Sequence, residues 1–393
     1  MARRWSGVLL IMLVALLGIA GAWWWFSGQS DSQAGPEKTL PPCFPLDTPA
    51  GALGYAEALE AVRSPDFVGA DVGLTAQLAD GRLVWIFGDT TRSDGQGPAV
   101  RNSMLIDEGD CRTLVGSGGG PVIPDRADGV GYWPTSALAR GPRLYVTAQR
   151  VRADGSEWGF VNLGPSIAVF DVVDRPRLIS LQDLGPDDTS RARVGWGAAL
   201  MDGGDGWWYV YGTSHDPQDE SYGWSVRVAR TRPDDLARPD TWRYWDGRDW
   251  SADEQDAAEV ISGQGGVAQT FSVIAPRLGS HDPSFYAVSK RDGDLGTDLA
   301  LWPAPAPWGP FSDPVTVGRI PNDDSPSILR YMPLAHPTLT GATPHSIVVS
   351  VSRNTVDPGL LAESPSLYRP FFVDVTLPPL PSDRLVDPWQ GPR

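Results

Sequence analysis

The sequence predicts an all-β protein, a five-bladed β-propeller carried behind an N-terminal transmembrane helix. Three observations point there. The 393 residues include 44 Gly, 37 Pro and 17 Trp, a composition of many turns joining short aromatic strands. Alternating apolar stretches that end in small or polar residues recur roughly every 60–75 residues, the mark of a repeated sheet. Helical periodicity is nearly absent, and Gly51 to Arg63 is the one short candidate.

Composition also excludes whole classes. With 41% hydrophobic and 20% charged residues the chain is globular, neither disordered nor a many-span membrane protein. The 32 basic and 48 acidic residues leave a net charge of −16, and Lys38 and Lys290 are the only lysines. No basic stripe offsets that repulsion, so nucleic acid is not a partner.

The elements follow in order. Arg3 and Arg4 precede an apolar run from Gly7 to Phe26, and about 20 residues at 1.5 Å each cross the roughly 30 Å hydrocarbon core. Trp23, Trp24 and Trp25 sit at the outer end, where indoles favour the interface, while the arginines stay inside. This reads as a signal anchor that places the body outside the cytoplasm. A signal peptide cleaved near Ala20-Gly21-Ala22 is the alternative, and it exports the body equally. Residues 27–42, rich in Gly, Ser, Gln, Asp and Pro, form a flexible spacer. Cys43 and Cys111 then fall in an oxidising compartment, where they are expected to pair. Two cysteines and four scattered histidines do not suggest a metal site.

From residue 43 to 377 the chain reads as one propeller domain, with a Pro-rich tail at 378–393. Five strands carry the repeat: Leu83 to Asp89, Leu144 to Arg150, Trp207 to Ser214, Phe285 to Lys290 and Ile347 to Asn354. A turn signal precedes each, among them Asp80-Gly81, Gly141-Pro142 and Gly203-Gly204-Asp205-Gly206. A third strand is expected after each hairpin, at 103–107, 166–173, 225–231, 298–302 and 368–377. Five units over this length predict five four-stranded blades, since a β-sandwich would run out near 250 residues.

In such a blade the inner strand starts at the rim where its neighbour ends. Asp71, in Gly-Ala-Asp-Val-Gly, and Asp89, in Phe-Gly-Asp-Thr, occupy those two places in the first blade. A three-residue loop with Gly81 in the left-handed conformation pairs 71 with 89 on one face; a two-residue loop separates them. Two converging carboxylates are what glycoside hydrolysis requires, one acid for the departing oxygen and one base or nucleophile opposite. Aspartates that cap a turn and end a strand are the plainer alternative. Trp133, Trp196 and Phe271 hold equivalent rim positions in later blades, where sugar rings stack, or else they pack between sheets. Arg101 is placed to pair with a catalytic carboxylate, Asn102 to meet a sugar hydroxyl or close a turn, and His336 to stand at the rim of blade five.

Gly-Ala-Asp-Val-Gly at 69–73, Asp-Gly-Arg at 80–82, Phe-Gly-Asp-Thr at 87–90 and Arg-Asn-Ser at 101–103 resemble the opening blade of domain-of-unknown-function family 4185. That group includes glycoside hydrolase family 183, five-bladed propellers acting as endo-D-arabinanases on cell-wall arabinan. Tyr-Trp-Pro at 132–134, His-Pro at 336–337 and Tyr-Arg-Pro at 368–370 are similar to its extended members. The resemblance implies that Asp71 and Asp89 carry the acid and base roles, that no cofactor is needed, and that the partner is cell-wall polysaccharide such as the D-arabinan of arabinogalactan or lipoarabinomannan. The expectation is a membrane-tethered extracytoplasmic glycoside hydrolase; the alternative is a non-catalytic propeller that binds wall polysaccharide or a protein.

Overall fold

The computed structural model describes residues 43–45, 50–116, 119–155, 159–218, 220–276, 283–320 and 328–378. The expected transmembrane helix at 7–26, the spacer at 27–42 and the tail from 379 onward lie outside them. Among the described residues no helix is long and apolar enough to cross a membrane.

Five antiparallel sheets follow one another along the chain. Their first strands are Gly69–Gln77, Gly131–Arg140, Gly195–Asp202, Ser272–Ile274 and Ile328–His336, and each lies at the inner edge of its sheet. Each touches the next, and the fifth returns to the first, which closes a ring. The core divides in the same way. Five hydrophobic clusters fill five spaces, one between each pair of neighbouring blades, from Val84 and Phe170 between blades 1 and 2 to Trp85, Val348 and Phe372 between blades 5 and 1. The five-bladed propeller is therefore built as its spacing suggested: alternation along each strand presents an apolar row to each neighbouring blade.

The blades are not uniform, and here the expectation of four strands each is corrected. Among the described residues the sheets hold five, four, six, four and three strands. Blade 1 gains Phe44–Pro45 on the outer side of Cys111–Leu114. Blade 3 is extended by the short strands Arg243–Trp245, Trp250–Ser251 and Glu259–Ile261. Blade 5 ends at Phe371–Thr376, and helix α1 (Gly51–Glu60) lies against that strand in place of a fourth. Asp374 holds it by accepting the Ala52 amide on Oδ2 at 2.8 Å, while the Gly51 amide donates to the Thr340 carbonyl at 2.9 Å.

The N-terminal segment thus joins the two ends of the ring. It pairs with blade 1, is cross-linked there by the Cys43–Cys111 disulfide, and then packs on blade 5. The expected pairing of the two cysteines is present. A bond closing 68 residues of chain stabilises by about 4 kcal/mol on the chain-entropy model. Replacing both cysteines by alanine is therefore expected to lower the melting temperature by about 5–10 °C, read by calorimetry of the unreduced protein.

Candidate active site

The first hairpin decides where the two carboxylates go. It turns through Ala79-Asp80-Gly81, with Gly81 at φ +90° and the Leu78 amide donating to the Arg82 carbonyl at 2.8 Å. Of the two loops the sequence left open this is the three-residue one, and it pairs Gln77 with Leu83 and Leu74 with Ile86. Two bulges then intervene. Val72 pairs with Phe87, and Ala70 with Thr90, so Gly73 is looped out of one strand and Asp71 faces Gly88 and Asp89 together. The two shifts cancel. Val72 and Gly73 stand at φ +69° and +76°, and a β-branched residue in that region is strained.

Each residue of the two motifs has a local task. A Cβ at position 88 would lie 2.3 Å from Asp71 Oδ1, so only glycine lets the Asp71 carboxyl cross the neighbouring strand beside Asp89. Thr90, fully buried, donates to the Gly88 carbonyl at 2.9 Å and shares a 2.7 Å bond with the Ser103 hydroxyl. Phe87 packs edge-on against Phe67 at 4.8 Å.

The surroundings of the two carboxylates differ. The Tyr331 hydroxyl donates to Asp71 Oδ2 at 2.7 Å, and Tyr368 supplies a second hydroxyl contact. Asp89 accepts the Trp133 indole N–H on Oδ1 at 2.8 Å and faces the Arg101 guanidinium at 3.4 Å. Burial, with the Asp89 charge next in weight, pushes Asp71 up to about 7 against the two hydroxyl contacts. Burial also raises Asp89, but the Arg101 charge and the Trp133 N–H pull it back. Neighbouring carboxyls so divided can hold a proton on one and a negative charge on the other. Asp125 adds a third carboxyl near Arg101, raised by burial.

Four of the residues picked out in the sequence are therefore brought together: Asp71, Asp89, Arg101 and Trp133. Trp133 presents its N–H to Asp89 while its ring packs against Phe160 at 4.6 Å. Four others belong to the scaffold instead. Asn102 is fully buried, donating to the Ile123 and Tyr132 carbonyls at 3.0 Å and accepting the Ile123 amide at 2.8 Å. It clasps the entry to blade 2. Trp196 lies between Trp242 and Tyr244 and gives its N–H to Glu254 at 2.8 Å. Phe271 is 1% exposed and packs on Tyr211. His336 ends its strand far from the rim of Asp71, with Thr75 on Nδ1 at 2.8 Å and Ser350 on Nε2 at 2.7 Å. Burial pushes its imidazole down to about 3, so it is a neutral core residue.

Tyr331 and Asp125 carried no signal in the sequence. Tyr368 did, as part of Tyr-Arg-Pro, and its neighbour explains that motif: buried Arg369 donates to the Leu59, Val62, Phe67 and Val68 carbonyls and so fixes the approach to the Asp71 strand. Among the described residues no group of three His, Cys, Asp or Glu is placed to hold a metal ion.

The fold and the site together define a five-bladed β-propeller with an unequal carboxyl pair at one end of its innermost strands. The chain belongs to the family described as domain of unknown function DUF5005, whose model matches residues 61–378. No curated protein sequence matches it. Among solved structures it is similar to a protein from Bacteroides ovatus provisionally described as a hydrolase, at 21% identity and a TM-score of 0.65, over 88% of this chain and 97% of that one. At that identity the likeness is one of fold. A GH43_1 enzyme from Xanthomonas citri complexed with xylose scores 0.42 at 16% identity, over 82% and 92% of the two chains. A Trypanosoma rangeli sialidase scores 0.42 at 11% identity, over 82% of this chain and 58% of the other. These two are too distant to bear on the chemistry.

Proposed function

We propose that this protein is a glycoside hydrolase in which Asp71 is the general acid and Asp89 the base or nucleophile. The observation that carries the reading is the unequal pair: two adjacent carboxyls, one held near neutrality by burial and by its neighbour's charge, the other supported by a guanidinium and an indole N–H. Protonated Asp71 gives its proton to the departing oxygen as the glycosidic C–O bond breaks. Ionised Asp89 takes a proton from the attacking water, or attacks the sugar carbon and is released by water in a second step. The Arg101 charge and the Trp133 N–H favour the ionised form of Asp89 that either route needs, against the burial that raises it.

The substrate we propose is a furanosidic cell-wall glycan, D-arabinan above all. The support is the resemblance, read from the sequence, of the motifs at 69–73, 87–90 and 101–103 to family 4185; Asp71, Asp89 and Arg101 come from those motifs. We also propose that the domain is exported and tethered to the membrane. Its disulfide suits an oxidising compartment. Cys111 pairs across from Glu108, near the Asp80-Gly81 turn, so the chain enters blade 1 at the end away from Asp71 and Asp89. A tether there leaves the carboxyls facing outward.

The test is incubation of residues 43–393 with purified arabinogalactan, followed by sizing of the products. Shorter arabinan fragments, lost when either aspartate is changed to asparagine, are the expected result. Binding without cleavage would leave the non-catalytic propeller as the function.

A further inference from the structure

We propose that Tyr331 is a positioning residue for Asp71, aimed by matched distortions in the first and last blades. The proposal rests on Asp71 acting as the proton donor.

Tyr331 lies 260 residues from Asp71, yet its hydroxyl reaches Oδ2 at 2.7 Å because ring closure sets the strand Ile328–His336 beside Gly69–Gln77. In both strands a bulge follows the contact residue at once. Val72, after Asp71, has φ +69°, and Met332, after Tyr331, has φ +47°. Among the described residues only three non-glycines have positive φ, and these are two of them. Strained backbone persists only where its surroundings over-determine it, and here they do. Ser352 pairs with Tyr331 inside blade 5 and accepts the Val72 amide on Oγ at 3.0 Å. Two hydrogen bonds thus cross between the blades side by side, Tyr331 to Asp71 and Val72 to Ser352. From blade 4, the buried Lys290 ammonium donates to the carbonyl of Arg330, the residue before Tyr331.

A phenol that donates to a carboxylate favours its charged form. Tyr331 therefore opposes burial and the Asp89 charge, and keeps Asp71 able to lose its proton near neutral pH. The other groups that face Asp71 are Asp89 and Tyr368; Arg101 and Trp133 act on Asp89, whose charge in turn raises Asp125, and Asn354 contacts Tyr331.

The experiment compares Tyr331→Phe with wild type in the full-length protein, each with and without Asp71→Asn. Melting temperature is followed against pH, and the difference made by Asp71→Asn reports the titration that Asp71 contributes, its effect on neighbouring Asp89 included, without any substrate. Its midpoint is expected to move to higher pH by roughly half to one unit in the Tyr331→Phe background. The alkaline limb of kcat/KM on glycan should move the same way, with kcat falling about tenfold and KM nearly unchanged. A purely structural tyrosine would lower the melting temperature alike at every pH and leave the midpoint in place, which would overturn the proposal. If Tyr331→Phe fails to fold, Ser352→Ala loosens the same junction from its other hydrogen bond, and an unmoved midpoint there overturns the proposal equally. A midpoint that moves in a protein cleaving no glycan refutes the hydrolase reading while the tuning of Asp71 by Tyr331 stands.

Discussion

Asparagine at position 71 is expected to give a protein more stable than wild type above neutral pH and nearly inert toward glycan. The two effects share one cause. The Asp71 carboxyl stands near 7 in the fold and near 3.8 in the open chain. Between about pH 4 and 7 the folded state holds a proton that the unfolded state has released, so stability falls as pH rises through that window. Above it, the full penalty of a second buried negative charge is present. Asparagine carries no charge and still accepts from Tyr331. Wild type and variant should melt together near pH 4, and the variant should gain up to about 4 kcal/mol, or some 5–10 °C, at pH 8. The rate on glycan should fall by about 100-fold or more. A nitrophenyl furanoside, whose leaving group needs no proton, should lose far less. A variant that is destabilised at every pH and keeps its rate would show that Asp71 serves the fold alone.

The Asp89→Asn variant should lose about 100-fold or more on both substrates, because no leaving group removes the need for a base or nucleophile. It also removes the charge that helps hold Asp71 up. The titration midpoint of Asp71, read from melting temperature as above, should therefore move to lower pH. The two asparagine variants thus separate by substrate, Asp71→Asn sparing the activated one and Asp89→Asn neither. Equal losses for Asp71→Asn on both substrates would contradict the assignment of roles, and a variant at 89 that keeps full activity would remove Asp89 from the chemistry.

Much of the fold was legible because its signals are local. Strand alternation, turn residues and hairpin length act over fewer than about ten residues, and each blade repeats them. The loop at Ala79-Asp80-Gly81 set the register of the first hairpin, and it took the longer of the two lengths its residues allow. The two bulges above it escaped notice because their shifts cancel, leaving the rest of the strand in the register the turn dictates. Strand number per blade was misjudged for a related reason. Whether an edge is finished by a strand, by the N-terminal segment or by helix α1 depends on what the chain brings there from afar.

The sequence by itself determined the propeller, the cysteine pair and the two aspartates that meet at one end of the first blade, because the blades and the aspartates follow from spacing within and between hairpins and the chain holds just two cysteines. Only the tertiary structure decided which aromatic and polar residues serve the site. Trp133, Trp196 and Phe271 carry the same local pattern, yet Trp133 turns its N–H to Asp89 while the other two are enclosed by neighbouring side chains. His336 looked like a rim residue and is core. Tyr331, with no motif of its own, reaches Asp71 across 260 residues. The physical reason is that burial and proximity belong to the closed ring: a side chain's neighbours on the next blade are set by how the sheets pack, and no residue's own segment records them.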